Sequence, residues 1–269
     1  MFEDFYFETK GQLKITAASI GISKNKWFSI KESEKNLQTA RRKMEELRID
    51  VLPIIEENGT IQEYYQTETP DNYGTIQTKI IGYKDTLDLN TDLTVVIEKF
   101  NAESRRHYFL TMDKEVVGLL TIGNLNCKEV QLFIFNVLCE LESRLSFFIS
   151  SNLEQKAILN WLEEKALKKE KYKVILKEYI DLQSRSLENK IVEHLYFIDL
   201  LELIREKKLA IKLGYNEKEW KSFNGINELR NKVAHPTRNL IDRENGIEKL
   251  TGRLHKINEL LFCLKNKKE

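Results

Sequence analysis

A repeat in the first half of the chain constrains its fold more than any other feature. The repeated unit is a helix-period segment, an apolar run, a turn and a second extended run, recurring after roughly fifty residues. The first copy has its helical segment at 37–47 and its extended runs at 51–55 and 61–65; in the second copy they lie at 93–100, 108–112 and 116–120. Because so small a unit cannot bury its apolar face alone, we expect the two modules to stack on each other.

The second half of the chain has a different pattern. Beyond about Cys127, apolar residues recur every three or four positions, in stripes over 130–148, 191–198 and 247–264. This periodicity predicts an antiparallel bundle of helices. Since 269 residues with 41% hydrophobic content can form two cores, the predicted fold class is α+β. Small βαββα modules are expected over 1–126, followed by an all-α domain over 127–269.

Composition excludes several classes of protein. The three cysteines lack a C-x-x-C spacing, which argues against a disulfide framework and against a zinc site. The N-terminus has acidic residues where a signal peptide has basic ones. The most apolar stretch, 130–149, contains three charged residues and therefore predicts a buried helix rather than a membrane span. We expect a cytoplasmic protein with no membrane partner.

Charge differs between the two halves. The first half is net acidic and the second is net basic, although the whole chain carries only +1. A basic excess of this size fits a phosphate-bearing partner such as RNA, and it fits a solvated helical surface equally well. Net charge alone therefore does not distinguish a phosphate-binding surface from a solvated one, and the sequence motifs are needed.

The phrase GLLTIGNL, residues 118–125, ends the second module. Together with the repeat, it resembles the end of a CBS module, although that family usually has Asp where Asn124 stands. The resemblance implies an adenine-type nucleotide as regulatory ligand, with the Thr121 hydroxyl on phosphate and Asn124 reaching the ribose. The matching stretch 62–67 lacks this spacing, so we expect one pocket per chain. In the alternative, both modules are degenerate and serve only as a dimerising scaffold.

The most informative segment for chemistry is NELRNKVAHP, residues 227–236. On a helix, Asn231 and His235 would lie on one face, so the amide could orient the imidazole. Arg230 would lie on a different face, but its side chain is long enough to extend around the helix to theirs. Pro236 discourages further helix, which would place His235 in the last turn, where the helix dipole favours a protonated ring. Imidazole exchanges protons near neutral pH, and a guanidinium stabilises charge on a phosphoryl group.

This Arg230-Asn231-x-x-x-His235 phrase, within a small helical bundle, strongly resembles the active-site motif of HEPN-domain ribonucleases; the likeness covers residues from about 127 to 269. It implies a homodimer, or a higher even oligomer, with a composite site across a two-fold axis. It also implies cleavage without metal or catalytic cofactor, in which the ribose 2′-hydroxyl attacks phosphorus and leaves a 2′,3′-cyclic phosphate and a 5′-hydroxyl. His235 would be the acid/base, Arg230 the phosphate clamp, and Asn231 the residue that positions the His or the nucleotide.

Together the two resemblances predict a nucleotide-regulated endoribonuclease, and a switched nuclease of this kind suits phage defence or a toxin system. Alternatively, the chain is a non-catalytic nucleotide sensor whose helical domain binds RNA or a partner protein. In that case His235 is a structural residue at a helix end, and Arg230 forms a surface ion pair with Glu228 or Asp242. The sequence contains no Walker A motif, GxGxxG or metal-spaced carboxylate cluster, so ATP hydrolysis and metal catalysis are disfavoured.

Overall fold

The computed structural model of the chain describes residues 15–185, 190–235, 237–242 and 246–266. It divides into two compact units, with the boundary between Val130 and Gln131. The N-terminal unit combines strands and helices, whereas the C-terminal unit is helical, and this confirms the α+β class.

The N-terminal unit holds two copies of the same strand and helix order. Its elements are α1 (Ala17–Ile20), β1 (Ile22–Ser23), β2 (Ile30–Lys31), α2 (Leu37–Leu47), β3 (Val51–Ile55), β4 (Glu63–Thr67), β5 (Ile76–Ile80), β6 (Thr86–Asp88), α3 (Leu93–Glu103), β7 (His107–Met112) and β8 (Glu115–Thr121). Short 3-10 turns lie at Glu32–Glu34, Tyr83–Asp85 and Ile122–Asn126.

Two four-stranded sheets have matching topology, in the orders β2-β3-β4-β5 and β6-β7-β8-β1. In each sheet the strand before the module's helix pairs in parallel with the strand after it, as β2 does with β3 and β6 with β7. The remaining pairs are antiparallel. This correspondence confirms the predicted repeat.

Residues from both modules form a shared core. Val51 and Tyr64 of the first module pack with Phe109 and Leu119 of the second, and Trp27 packs against them. The Tyr64 and Phe109 rings meet edge to face with their centroids 4.9 Å apart, an arrangement that suits aromatic quadrupoles. The two modules therefore stack on each other, as their sequence pattern predicts.

The hairpin turns of the two modules use different residues. The turn between β3 and β4 contains Gly59, whose φ of +84° costs glycine little. The turn between β7 and β8 instead places Asp113 and Lys114 at φ of +50° and +70°. The second hairpin therefore holds two side-chain-bearing residues in the left-handed region, where Asp is better tolerated than Lys.

The C-terminal unit consists of helices joined by short connections. They are α4 (Lys128–Asn152), α5 (Gln155–Ala166), α6 (Glu170–Ser184), α7 (Phe197–Glu206), α8 (Glu217–Lys221), α9 (Asn224–Val233) and α10 (Gly246–Lys265), with 3-10 turns at Ile191–His194 and Leu209–Leu213. In the part of the chain that the structure describes, no helix has the length and apolarity that crossing a bilayer requires.

Two of the three predicted helical stripes lie in single helices, and the third does not. The stripes over 130–148 and 247–264 lie in α4 and α10. The prediction that the stripe over 191–198 forms one helix was wrong, because Leu195 and Tyr196 adopt extended backbone between the 3-10 turn and α7.

A polar network connects α5, α6 and α7. Asp199 in the first turn of α7 is fully buried, and its Oδ1 accepts from Lys171 Nζ at 2.5 Å and from the Tyr172 hydroxyl at 2.9 Å. The Lys165 ammonium on α5 donates to Glu202 at 2.8 Å. Hydrogen-bonded charges of this kind fix the relative positions of the three helices, because a buried carboxylate without such partners is strongly unfavourable.

Candidate functional site

Helix α9 carries Arg230 beside its buried face. Ile226, Leu229 and Val233 recur on that face and are almost fully buried. Arg230 follows Leu229 and is half-buried, with its Nε 3.4 Å from Glu142 Oε1 on α4. Both side chains keep about a third of their surface exposed, at 32% and 31%. A long ion pair between two partly hydrated groups is weak, so the guanidinium is held loosely.

The carboxylate that contacts Arg230 differs from the two candidates suggested by local spacing. Glu228 pairs with Arg253, and Asp242 accepts from Lys232 Nζ at 2.9 Å. The contact of Arg230 with Glu142 joins positions 88 residues apart, which no local pattern in the sequence indicates.

His235 lies beyond the end of α9, so its predicted position in the last helical turn was wrong. The helix ends at Val233, Ala234 is its C-cap, and the His235 N–H closes a turn onto the Lys232 carbonyl at 3.2 Å. The cause is local, because a residue before proline disfavours helical backbone. Asn231 and His235 therefore do not share a helix face. Pro236 itself lies outside the described residues.

The loop that contains His235 is fixed at several points. Gln131 Nε2 on α4 donates to the Arg238 carbonyl at 3.1 Å, and the Arg238 N–H donates to the His235 carbonyl at 2.9 Å. From α9, Lys232 Nζ donates to the Leu240 carbonyl at 3.2 Å. The His235 side chain is nevertheless exposed. An exposed imidazole on an anchored loop can reach a substrate from solvent while its backbone stays in place.

Within one chain, the side chains of the three motif residues have different surroundings. Asn231 and His235 are exposed, whereas Arg230 is directed to Glu142. Among the described residues, the structure records no hydrogen bond between any two of these three motif side chains.

A cavity of about 540 Å³ opens beside the Arg230 contact. Cys139, Glu142 and Phe147 of α4 form one wall, and Lys190 and Glu193 lie on the other. Burial raises the pKa of the Cys139 thiol, and Glu142 raises it further, while Arg230 opposes both effects. The thiol is therefore neutral at neutral pH, and the charged groups at the cavity are Glu142, Lys190 and Glu193.

The predicted nucleotide-binding pair, Thr121 and Asn124, comes together at the end of β8. Asn124 Oδ1 accepts from the Thr121 backbone N–H at 2.8 Å and from the Thr121 hydroxyl at 2.7 Å. These bonds cap the 3-10 turn that follows. The glycine at position 118, in the same sequence motif, avoids a steric clash, since a Cβ there would lie 2.9 Å from the Ile22 carbonyl oxygen of β1.

His107 occupies the position opposite Thr121 on β7. Its ring is 6% exposed and lies edge to face against Tyr64 and Phe109. Burial lowers the pKa of His107 to about 4; Asp85 opposes that effect, while nearby cations, Arg106 foremost, add to it. A neutral, buried ring fits a structural His at the contact between modules, rather than one open to a ligand.

A cavity of about 1290 Å³ within the N-terminal unit is lined by β6, α3 and the turn between β7 and β8. Four cations line it, Lys84, Lys99, Arg105 and Lys114, together with three carboxylates, Asp88, Glu103 and Asp113. Neither Thr121 nor Asn124 lines it. The predicted ligand pair and this mixed-charge cavity are thus separate features of the unit.

Among residues 15–185, 190–235, 237–242 and 246–266, no group of three or more His, Cys, Asp or Glu side chains is arranged to hold a metal ion. The residues of the Arg/His motif belong to no such group either.

Comparisons with known proteins reach only part of the chain. No family model and no curated protein match it. Solved structures that match include an uncharacterised conserved protein from Pyrococcus horikoshii, at 20% identity over 42% of this chain and 91% of that one, TM-score 0.32. Another is CBSX2 in complex with AMP, at 14% identity over 44% and 97%, TM-score 0.35. A third, a CBS-domain-containing protein from Agrobacterium tumefaciens, shares 8% identity over 44% and 95%, TM-score 0.32.

Proposed function

We propose that this chain is a metal-independent endoribonuclease in which Arg230, Asn231 and His235 act on RNA under the control of a nucleotide. The observation that carries the proposal is the exposed His235 on an anchored loop, directly after the helix that holds a half-buried, loosely paired Arg230. A structural histidine in a helical unit is more often packed or hydrogen-bonded. Here its ring is left open to solvent, while its backbone is fixed.

The chemistry needs no group beyond the chain and its substrate. A neutral His235 ring takes the proton of a ribose 2′-hydroxyl, whose oxygen then attacks the adjacent phosphorus. The bond from phosphorus to the 5′-oxygen breaks, and a protonated ring supplies the proton to the leaving oxygen. The products are a 2′,3′-cyclic phosphate and a 5′-hydroxyl. Arg230 stabilises the charge on the phosphoryl oxygens, and Asn231 positions the nucleotide.

Two copies of the motif supply the general base and the general acid. No hydrogen bond joins the side chains of Arg230, Asn231 and His235 within the described part of one chain, and a homodimer provides a base and an acid from different copies. A homodimer, or a higher even oligomer, is therefore part of the proposal. Mixing His235→Ala with Arg230→Ala protein should restore part of the activity if the site is composite.

The direct test incubates end-labelled RNA with the full chain in EDTA. We expect cutting by the wild type and by a His255→Ala control, which removes an exposed histidine on α10. His235→Ala should abolish cutting. Wild-type protein that leaves RNA intact, or His235→Ala protein that cuts at the normal rate, would contradict the proposal.

The N-terminal unit supplies regulation in this proposal. Its polar pair at Thr121 and Asn124, and the four cations of its mixed-charge cavity, offer groups for an adenine-type nucleotide. A ligand that prefers one arrangement of the dimer can align or separate the Arg/His sets by its differential affinity. The test measures cutting across adenine nucleotides, cyclic nucleotides and S-adenosylmethionine. Constant activity over this panel would remove the regulatory part.

The contact between Arg230 and Glu142 favours a second candidate function. If that pair is permanent, the guanidinium is not available to phosphate, and the chain is a nucleotide sensor whose helical unit binds RNA or a partner protein. Under this alternative, wild type and His235→Ala are equally inactive, and both still bind RNA or the partner.

A further inference from the structure

The loop that follows α9 presents a cationic side chain close to His235. The Arg238 N–H donates to the His235 carbonyl at 2.9 Å, which closes a turn between the two residues. Residues joined in this way, three positions apart, have Cα atoms within about 7 Å of each other. Both side chains are exposed. One turn therefore carries both the imidazole of the proposed acid/base and a guanidinium.

The backbone at Arg238 is fixed by both of its polar groups. Its N–H makes the bond to His235, and its carbonyl accepts from Gln131 Nε2 at 3.1 Å. Two residues later, Leu240 is buried, and its carbonyl accepts from Lys232 Nζ at 3.2 Å. None of these bonds uses the guanidinium. The turn should therefore survive a change of the Arg238 side chain, and it sets where that side chain starts relative to His235.

Arg238 differs from the other arginines of the helical unit in its charge partners. The described part of that unit contains six arginines, and five of them contact a carboxylate: Arg144, Arg185, Arg205, Arg230 and Arg253. Among the described residues, no carboxylate contacts Arg238. Its neighbours Thr237 and Asn239 are uncharged, and Asp242 of the same loop accepts from Lys232. An exposed guanidinium of this kind is available to a phosphate.

We infer that Arg238 binds the RNA phosphate next to the scissile one. This inference rests on the proposed function, in which Arg230 holds the scissile phosphate. A strand whose scissile phosphate lies at the His235 imidazole has its neighbouring phosphate within reach of a long side chain from the same turn. A guanidinium binds phosphate through charge-assisted hydrogen bonds and reads no base. The contact therefore adds affinity and fixes the register of the strand, without adding sequence specificity.

The test measures cleavage of a single-stranded RNA oligonucleotide in EDTA by full-length Arg238→Gln and wild type. Binding of the same RNA is measured in the His235→Ala background, which cannot cut. Because the contact is made equally in the ground and transition states, Arg238→Gln should raise KM and weaken binding about tenfold, with kcat unchanged. The dependence of log Kd on log salt should become shallower by about 0.7, the contribution of one phosphate on a single strand.

Two further variants distinguish a phosphate contact from a structural role or a general effect of charge. Arg238→Lys keeps the charge and should retain the salt dependence of the wild type. Arg185→Gln also removes an exposed arginine from the helical unit, one that is paired with Asp181 at 2.9 Å. It should bind RNA with the affinity and salt dependence of the wild type.

An uncharged methylphosphonate at a single position of the RNA locates the contact. Placed next to the scissile phosphate, it should weaken binding by a chain that has Arg238 and leave binding by Arg238→Gln unchanged, because that chain has already lost the contact. Equal weakening of both proteins by a methylphosphonate on either side of the scissile phosphate would overturn the assignment.

The outcomes separate this inference from the proposed function. Wild-type cutting with unchanged KM, binding and salt dependence in Arg238→Gln would overturn the contact and leave the nuclease standing. Binding that depends on Arg238, together with wild-type protein that does not cut, would sustain the contact and reject the nuclease. Loss of the wild-type oligomeric state in Arg238→Gln would assign this side chain to a contact between copies and overturn the inference. Absence of any RNA binding would overturn both.

Discussion

The turn after β8 and the loop after α9 both carry short polar motifs, but they use their polar groups differently. Thr121 and Asn124 satisfy each other through two hydrogen bonds at the end of a strand. His235 has a fixed backbone and an exposed ring. The first motif therefore contributes to folding whether or not a ligand binds, whereas the second leaves its reactive group available. Substitutions should reduce stability at the first and activity at the second.

The largest expected effect is on activity at His235. Because a general acid/base contributes about a hundredfold to ten-thousandfold, His235→Ala should lower RNA cleavage about a thousandfold. Its exposed ring makes few contacts, so the free energy of unfolding should change by less than about 0.5 kcal/mol. Cleavage rates and urea denaturation of the same preparation check both. A large loss of stability would show that His235 is a structural residue, and it would contradict the contrast between the two motifs.

Asp199 extends the comparison to a fully buried polar group. Asp199→Ala removes the acceptor of Lys171 and Tyr172, and we expect the helical unit to lose about 3 kcal/mol of stability. Asp181→Ala is a control on α6, because Asp181 forms an exposed pair with Arg185 at 2.9 Å. That change should cost less than about 0.5 kcal/mol. Similar losses for the two variants, measured by chemical denaturation, would contradict this account of the network.

His107 gives the N-terminal unit a dependence on pH. Its pKa is about 4 when folded, because the ring is buried, and about 6.5 when unfolded. Between these values the unfolded chain binds the additional proton, so stability is present above pH 6.5 and falls as pH decreases towards 4. Lowering the pH from 7.5 to 5 should cost about 2 kcal/mol through this group.

The measurement compares urea unfolding of wild type and His107→Gln at the two pH values. The variant has no ring to titrate, so its stability should fall less over this interval. Equal slopes for the two proteins would show that the ring is not held neutral by burial.

The smallest effect is expected at Asn124. Asn124→Ala removes the acceptor of the Thr121 N–H and hydroxyl, which should cost about 1 kcal/mol, as other capping residues do. Asn124→Asp keeps an acceptor and should retain most of that stability. Thermal unfolding of both variants checks the difference, and equal destabilisation would mean that the cap contributes little to the turn.

Local patterns in the sequence predicted the repeat and the long helices, because periods of two and 3.6 residues depend on neighbouring positions alone. The position of His235 could have been predicted more accurately by giving more weight to the restriction that Pro236 places on the preceding residue. The interruption at Leu195 and Tyr196 had no comparable signal, because the apolar spacing continues across it.

Contacts between distant positions were beyond prediction. The pairing of Arg230 with Glu142 joins residues 88 apart, and no single-sequence pattern relates them. Similarly, the mixed-charge run over 163–173 gave no sign that Lys165 and Lys171 join a network with α7. These contacts depend on how helices pack, and one sequence does not encode packing as a local signal.

The central claim is that Arg230 on α9 and His235 in the loop after it catalyse attack by the ribose 2′-hydroxyl on the adjacent phosphate. The end groups of the products test this claim most directly. RNA cut in EDTA by the full chain should carry 2′,3′-cyclic phosphate and 5′-hydroxyl ends. A substrate with a 2′-deoxy sugar at the cleaved position should remain intact. Products with 3′-hydroxyl and 5′-phosphate ends, or cutting at the deoxy position, would contradict the account.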